Sequence, residues 1–131
     1  MRKQANYIEN FKVKDSLVEI LSLAKARNIY LSSHEPWNVI KKDRKSASTT
    51  LYVSIQIVNA LAIMIQPYLP STAIKIRRML NLPEMVQDGV LKRLQESLIP
   101  TGHTILEPKI LFTKLNKAEI QDFMRNIINI L

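Results

Sequence analysis

Apolar positions recur with a helical period along most of the chain. Over residues 11–31, Val13, Leu17, Ile20, Leu21, Ala24 and Leu31 are separated by three, four or seven residues or lie side by side. That spacing predicts an amphipathic helix with one apolar side. Asn28 falls on the same stripe. A polar amide there needs partners, because leaving it unpaired costs roughly 1–3 kcal/mol. It is either a structural amide satisfied by neighbouring backbone or a group held for a ligand. Residues 32–45 interrupt the pattern. Pro36 cannot continue a helix and biases Glu35 away from helical geometry. Trp37, Asn38, Val39 and Ile40 form one short turn with Pro36 near its first position, and Lys41 to Lys45 follow as a basic loop.

The next stretch carries two conflicting signals. From Leu51 to Val58 apolar and polar residues alternate, with Val53, Ile55 and Ile57 on one side and Tyr52, Ser54 and Gln56 on the other. Alternation and β-branching favour a strand. The apolar run, however, continues to Ile65 without a turn residue, and Tyr52, Gln56, Asn59 and Gln66 fall on one helical line. The reading is a long, mostly buried helix over 46–66 that stops before Pro67. A further helix starts at Pro70–Ser71, with Ser71 as N-cap. Ala73, Ile76 and Leu80 form its core face, and Lys75, Arg77 and Arg78 make it basic. Asn81, Leu82 and Pro83 end it. A weaker helical stretch covers Val90 to Leu98, Pro100-Thr101-Gly102 breaks it, and residues 101–115 read as extended and irregular. Asn116 caps a last helix with Glu119 at its third position, a capping-box arrangement. Its apolar set is Ile120, Phe123, Met124, Ile127, Ile128 and Leu131. The expected fold is all-α: one domain over residues 1–131, a bundle of four or five helices with an extended C-terminal segment wrapped over it.

Composition narrows the chemistry. The 131 residues include no Cys, which removes disulfides, Cys-ligated zinc and thiol catalysis. Gly89 and Gly102 are the only glycines, too few for a phosphate-cradling loop. His34 and His103 lie far apart, so a His-built metal site is not expected. His34 beside Glu35 is an acid–base pair only in principle, because adjacent residues rarely face each other. No nucleophile elbow or carboxylate pair stands out, and no catalytic residue is assigned. The charge-free stretch from Ser46 to Ile74 raises the question of a membrane span. Its dense apolar part, Leu51 to Ile65, is 15 residues, short of the roughly 20 a spanning helix needs. With no secretory signal after Met1-Arg2-Lys3, a cytoplasmic protein without a membrane partner is expected.

The net charge of +8 is uneven: residues 1–50 carry ten basic and five acidic side chains. Lys41, Lys42, Arg44 and Lys45 form the densest cluster, suited to phosphates through counterion release. The sole Trp, Trp37, stands between a helix end and this cluster. It either plugs the end of the bundle, burying roughly 200 Å2, or offers a stacking platform to an unpaired base, worth roughly 1–3 kcal/mol.

The run Asn28-Ile29-Tyr30 to Pro36-Trp37-Asn38-Val39-Ile40-Lys41 resembles the Asn-x-Tyr…Pro-Trp…Lys signature in the C-terminal anticodon-binding helical domain of methionyl-tRNA synthetases. Ala60 to Ala73, with Pro67-Tyr68-Leu69-Pro70, resembles that family's buried helix and its proline turn. Gly102-His103 and Leu111-Phe112-Thr113-Lys114 resemble its closing segments, in an archaeal style. The valine, isoleucine and leucine enzymes carry related helical domains and remain an alternative. The resemblance implies a class I synthetase anticodon-binding domain that reads the methionine tRNA anticodon loop during aminoacylation. It implies Trp37 as the stacking residue, Asn28 and Tyr30 as pocket residues, and Pro36 as the residue that aims the Trp. The catalytic domain, with its His-x-Gly-His and Lys-Met-Ser-Lys-Ser motifs, is not in this sequence. ATP and methionine would bind there, so no cofactor is expected on this chain. Also missing is a preceding helix that contributes an Asn and an Arg to the family's pocket, leaving an expected open groove. The rival reading is a helical interaction module that docks on a catalytic subunit or on itself.

Overall fold

The computed structural model describes residues 13–83, 92, 94 and 98–130. Five helices stand among them, and no strand: α1 (Val13–His34), α2 (Pro36–Val39), α3 (Arg44–Ile65), α4 (Pro70–Met79) and α5 (Lys117–Ile130). The chain is thus all-α, as its periodicity predicts. The helix expected over Val90–Leu98 lies largely outside the described residues.

Helix α3 is the axis of the fold, and α1, α2 and α4 each pack on it. Its 22 residues make it long and apolar enough to cross a membrane, the one such helix among the described residues. Here it is the central helix, with Ala47, Ala62, Ile63 and Met64 buried against its neighbours, but only 33% of its apolar stretch is buried, so it is less enclosed than the mostly buried helix expected. The helical line of polar residues explains why the strand signal fails. Tyr52 and Gln56 hold the backbone of Ile99, and Asn59 holds Arg77. Each of these pairings requires the side chains to share one helical face. The start of α3 corrects the expected boundary. Asp43 is the N-cap, accepting the Ser46 N–H at 3.0 Å. Arg44 and Lys45 therefore belong to the first turn of the helix, not to a loop.

Helix α1 buries a different stripe from the expected one. Ser16 and Ile20 are buried, with Leu17, Leu23, Ala24, Arg27, Tyr30 and Leu31 half-buried, whereas Val13, Leu21 and Asn28 are exposed. Ser16 reaches the core because it is small and the Tyr68 hydroxyl donates to its Oγ at 2.7 Å.

Helix α4 brings two further corrections. Its N-cap is Leu69, with Pro70 at the first position, and Ser71 lies inside the first turn without capping anything. Arg77 is no surface cation: it is 6% exposed. Its Nη1 donates to Asn59 Oδ1 at 3.0 Å, and its Nε and Nη2 donate to the Pro83 carbonyl at 3.1 and 3.0 Å. A buried guanidinium is tolerated because its donors are met. The helix ends in a Schellman arrangement. Asn81 takes the left-handed conformation at φ 54°, Leu82 N–H donates to Arg77 O, and Asn81 N–H donates to Arg78 O.

Beyond Pro100 the chain turns at Gly102, whose φ of 78° suits glycine. It then crosses the end of α4 without regular structure. The His103 Nε2–H donates to Leu80 O at 2.7 Å, Leu106 N–H donates to Met79 O at 2.8 Å, and Asn81 Nδ2 donates to Thr104 O at 3.2 Å. The expected capping box is present: Glu119 N–H donates to Asn116 Oδ1 at 2.9 Å, and Asn116 N–H donates to Glu119 Oε2 at 3.0 Å. The apolar row of α5, including Ile120, Phe123 and Ile127, is exposed.

Candidate nucleic-acid interface

One end of the bundle gathers most of the residues singled out in the sequence. Helix α1 stops at His34 because Glu35 takes a left-handed conformation, φ 38° and ψ 56°, which an L-residue adopts at a cost of about 1–2 kcal/mol. Its side chain is held by Asn38, whose Nδ2 donates to Glu35 Oε2 at 2.9 Å. Pro36 is buried at the start of α2, and its fixed φ suits that position. Hydrogen bonds from Asn38 and Val39 N–H to Glu35 O, and from Ile40 N–H to Pro36 O, complete the turn. The next residue after the buried proline, Trp37, is left 54% exposed. The indole is therefore not sealed into the bundle end, and about half its surface is open to a planar partner.

The four cations follow immediately. Lys41 and Lys42 lie in the turn, which closes through Lys42 and Asp43 N–H bonds to Val39 O. Arg44 and Lys45 open α3. All four are exposed, and among the described residues none makes an ion pair. The helix dipole adds positive potential at the same place. An unneutralised cluster beside an exposed aromatic is the combination that single-stranded nucleic acid favours, charge for the backbone and a π-face for a base.

Tyr30 and His34 form the last turns of α1, with ring centroids 4.3 Å apart and planes tilted by 38°. They face Asp43, Lys45, Thr49 and Thr50 across a cleft of about 410 Å3. The structure thus brings Tyr30 and Lys45 together, and places Pro36 and Trp37 on the adjoining turn. Asn28 is not part of the cleft: it is exposed on α1 and accepts from Arg27 Nη1 at 3.3 Å. His34 and Glu35 do not form an acid–base pair. His34 bonds Tyr30 O while Glu35 bonds Asn38. Sequence reasoning missed His34, Asp43 and Thr49 as cleft residues. The helical register of Tyr30 and His34, four apart, is the signal that could have found the first.

The molecule is thus an all-α domain with a basic, aromatic-bearing end. Comparison with known proteins gives the family. The sequence profile described as the anticodon binding domain of methionyl tRNA ligase matches residues 1–128. Relatives named methionine–tRNA ligase share 38% identity over 91% of the chain (Pyrococcus abyssi), 36% over 90% (Methanosphaera stadtmanae) and 34% over 89% (Christiangramia forsetii). The chain belongs to the methionyl-tRNA ligase anticodon-binding family. The relatives are both archaeal and bacterial, so its archaeal style is not exclusive. It spans 16%, 19% and 18% of the length of those three proteins.

Proposed function

We propose that the chain binds the anticodon loop of methionine tRNA, serving a catalytic unit that aminoacylates it in the cytoplasm. The observation that carries this reading is the half-exposed indole of Trp37, adjoining a buried proline and followed by a run of exposed cations. Trp37 stacks on an unstacked anticodon base, Tyr30 and Pro36 shape its surroundings, and Lys41, Lys42, Arg44 and Lys45 hold phosphates. Asn28 would have to act from the exposed flank of α1. Titration with anticodon stem-loops tests this: the CAU loop binds more tightly than loops with altered anticodons. Trp37→Ala weakens that binding by roughly 1–3 kcal/mol, about 5- to 150-fold, with the helical signal intact. Equal binding of all loops at low salt refutes anticodon reading, and unfolding of Trp37→Ala shows the ring to be core.

A second reading, docking on a catalytic unit, is favoured by the uncovered apolar row of α5. Sedimentation with and without such a unit tests it, and self-association of the chain alone is the other outcome the same experiment reads.

A further inference from the structure

Helix α5 carries a strong amphipathic pattern, and its apolar row is uncovered. Every residue from Lys117 to Ile130 is exposed, with Phe123 at 66% and Met124 at 57%. A helix of 14 residues is marginal in water by itself and owes its stability to packing of its apolar side. The order of residues on that row is specific. Ile120, Phe123, Met124 and Ile127 follow the spacing i, i+3, i+4, i+7, which reads the same in both directions about the midpoint between Phe123 and Met124. At about 100° per residue, Ile120 and Ile127 fall on the centre line of the row, with Phe123 and Met124 on either side of it. Asp122 and Arg125 mirror each other on the outer face, where they approach to 4.0 Å. The charges of Lys117, Glu119, Asp122 and Arg125 cancel, although the whole chain carries +8. A neutral helix has no electrostatic attraction for RNA or for an anionic lipid surface, and it does not repel its own copy.

We propose that this row is a self-association surface: two copies of the chain pair through α5, antiparallel, about a twofold axis that passes between Phe123 and Met124. A row that reads the same in both directions is its own complement in that arrangement, as an isologous interface requires. Phe123 of one copy lies level with Met124 of the other, and Ile120 level with Ile127. A thioether beside an aromatic ring is a favourable contact. The antiparallel sense also suits the charge. Each basic bundle joins α5 at its N-terminal end, so antiparallel pairing sets the two bundles at opposite ends of the helix pair, roughly 20 Å apart along the axis, whereas a parallel pair crowds them together. Covering the row on both copies removes roughly 1,000 Å2, the lower limit for a specific interface, so the dimer is weak and forms at micromolar concentration. A catalytic unit that docks on this face has to separate the pair. The proposal does not rest on RNA binding.

Sedimentation equilibrium from about 1 to 500 μM tests the pairing, and a concentration-dependent monomer–dimer equilibrium is expected. Phe123→Glu weakens the dimer by about 100-fold or more, since each pair loses two anchors. Arg125→Ala, on the outer face, leaves it within about twofold. Thermal melts verify that the bundle is intact in both variants. The chain has no Cys, so single cysteines report the geometry without background. Met124→Cys stands beside the twofold axis, brings two thiols within disulfide reach and cross-links the copies on oxidation. Ile130→Cys lies about 20 Å along the axis from its mate and does not. The proposal is overturned if the chain stays monomeric throughout the range, if Phe123→Glu leaves the dimer intact, or if Ile130→Cys cross-links as readily as Met124→Cys. A chain that is monomeric alone but binds a catalytic unit, and loses that binding in Phe123→Glu, also overturns it and assigns the row to that unit.

Discussion

Gln56 is the most exacting test of how the C-terminal segment is held. Its amide forms a two-way pair with the backbone of Ile99: Nε2 donates to Ile99 O at 2.7 Å, and Ile99 N–H donates to Oε1 at 3.1 Å. The Tyr52 hydroxyl donates to the same carbonyl at 3.0 Å. In Gln56→Leu the carbonyl keeps Tyr52, but the N–H of a buried residue loses its partner. Leaving a buried donor unmet costs about 1–3 kcal/mol, and a lost hydrogen bond about 1 kcal/mol. The added apolar surface of Leu offsets part of this, for a net loss of roughly 2 kcal/mol. For a chain of this size that is a melting-point drop of roughly 6–10 °C. Gln56→Glu sharpens the argument. The ionised carboxylate still accepts from Ile99 N–H but sets an oxygen against Ile99 O, while the protonated form donates there as the amide does. The N–H bond serves both forms, whereas the carbonyl repels only the ionised one. The folded carboxyl is therefore raised above its ordinary value of about 4.3. A raised group contributes stability below its unfolded value and loses it as pH rises through the folded one. The deficit of Gln56→Glu relative to wild type is thus large at pH 7 and shrinks toward pH 4. Urea denaturation at several pH values measures both effects. A Gln56→Leu midpoint indistinguishable from wild type, or a deficit of Gln56→Glu independent of pH, refutes the clasp.

Three further outcomes are expected. Ser54 is buried, and its Oγ has no hydrogen-bond partner among the described residues, so Ser54→Ala is neutral or stabilising by about 1 kcal/mol in urea. A clear loss would reveal a partner for the hydroxyl. Arg77→Lys cannot reproduce the fork on Asn59 and Pro83, and thermal melts should show a destabilisation of about 2–3 kcal/mol; an unchanged melt would mean that one ammonium suffices. Replacing Lys41 and Lys42 by Gln lowers the salt slope of RNA binding by roughly 0.7 for each phosphate left unneutralised, without changing the order of preference among loops; a change in that order would make these lysines base readers.

What the sequence made legible was local. The α3 assignment rested on the length of the apolar run and the helical line of Tyr52, Gln56, Asn59 and Gln66, and both are properties of a short window. The same holds for the break at Pro36 and the capping box of Asn116 and Glu119, where partners are three residues apart. The misread features depend on distant partners. Arg77 looks like a solvated cation because Lys75 and Arg78 stand beside it, and only folding brings it to Asn59, 18 positions away. The stripe that α1 buries includes Ser16, which no apolar pattern marks and which Tyr68, 52 positions on, supplies with its hydrogen bond. Asn28 shows the opposite error: its position on an apolar stripe did not bury it, because α3 packs on the neighbouring arc of α1. Trp37 and the cations were legible as residue types in sequence order, whereas the cleft lined by Tyr30, His34, Asp43 and Thr49 depends on how α1 packs on α3.

The junction of α1, α2 and α3 connects these features to one another. The left-handed Glu35 ends α1 where Tyr30 and His34 occupy its final turns, and the buried Pro36 fixes the direction of the next residue. The chain then has only the four residues of α2 and a short turn before Asp43 caps α3. The position of the indole and the separation of the cleft walls are consequently set by the same few backbone angles. A strained conformation costing about 1–2 kcal/mol persists only where the surroundings over-determine it. Here the Asn38–Glu35 bond and the burial of Pro36 do so. Relaxing Glu35 would free the chain to continue or to fray α1, and it would displace Trp37 and the His34 wall together. The half-exposed indole of Trp37 and the paired rings of Tyr30 and His34 are therefore positioned as a unit by one short turn, although neither Trp37 nor His34 is buried.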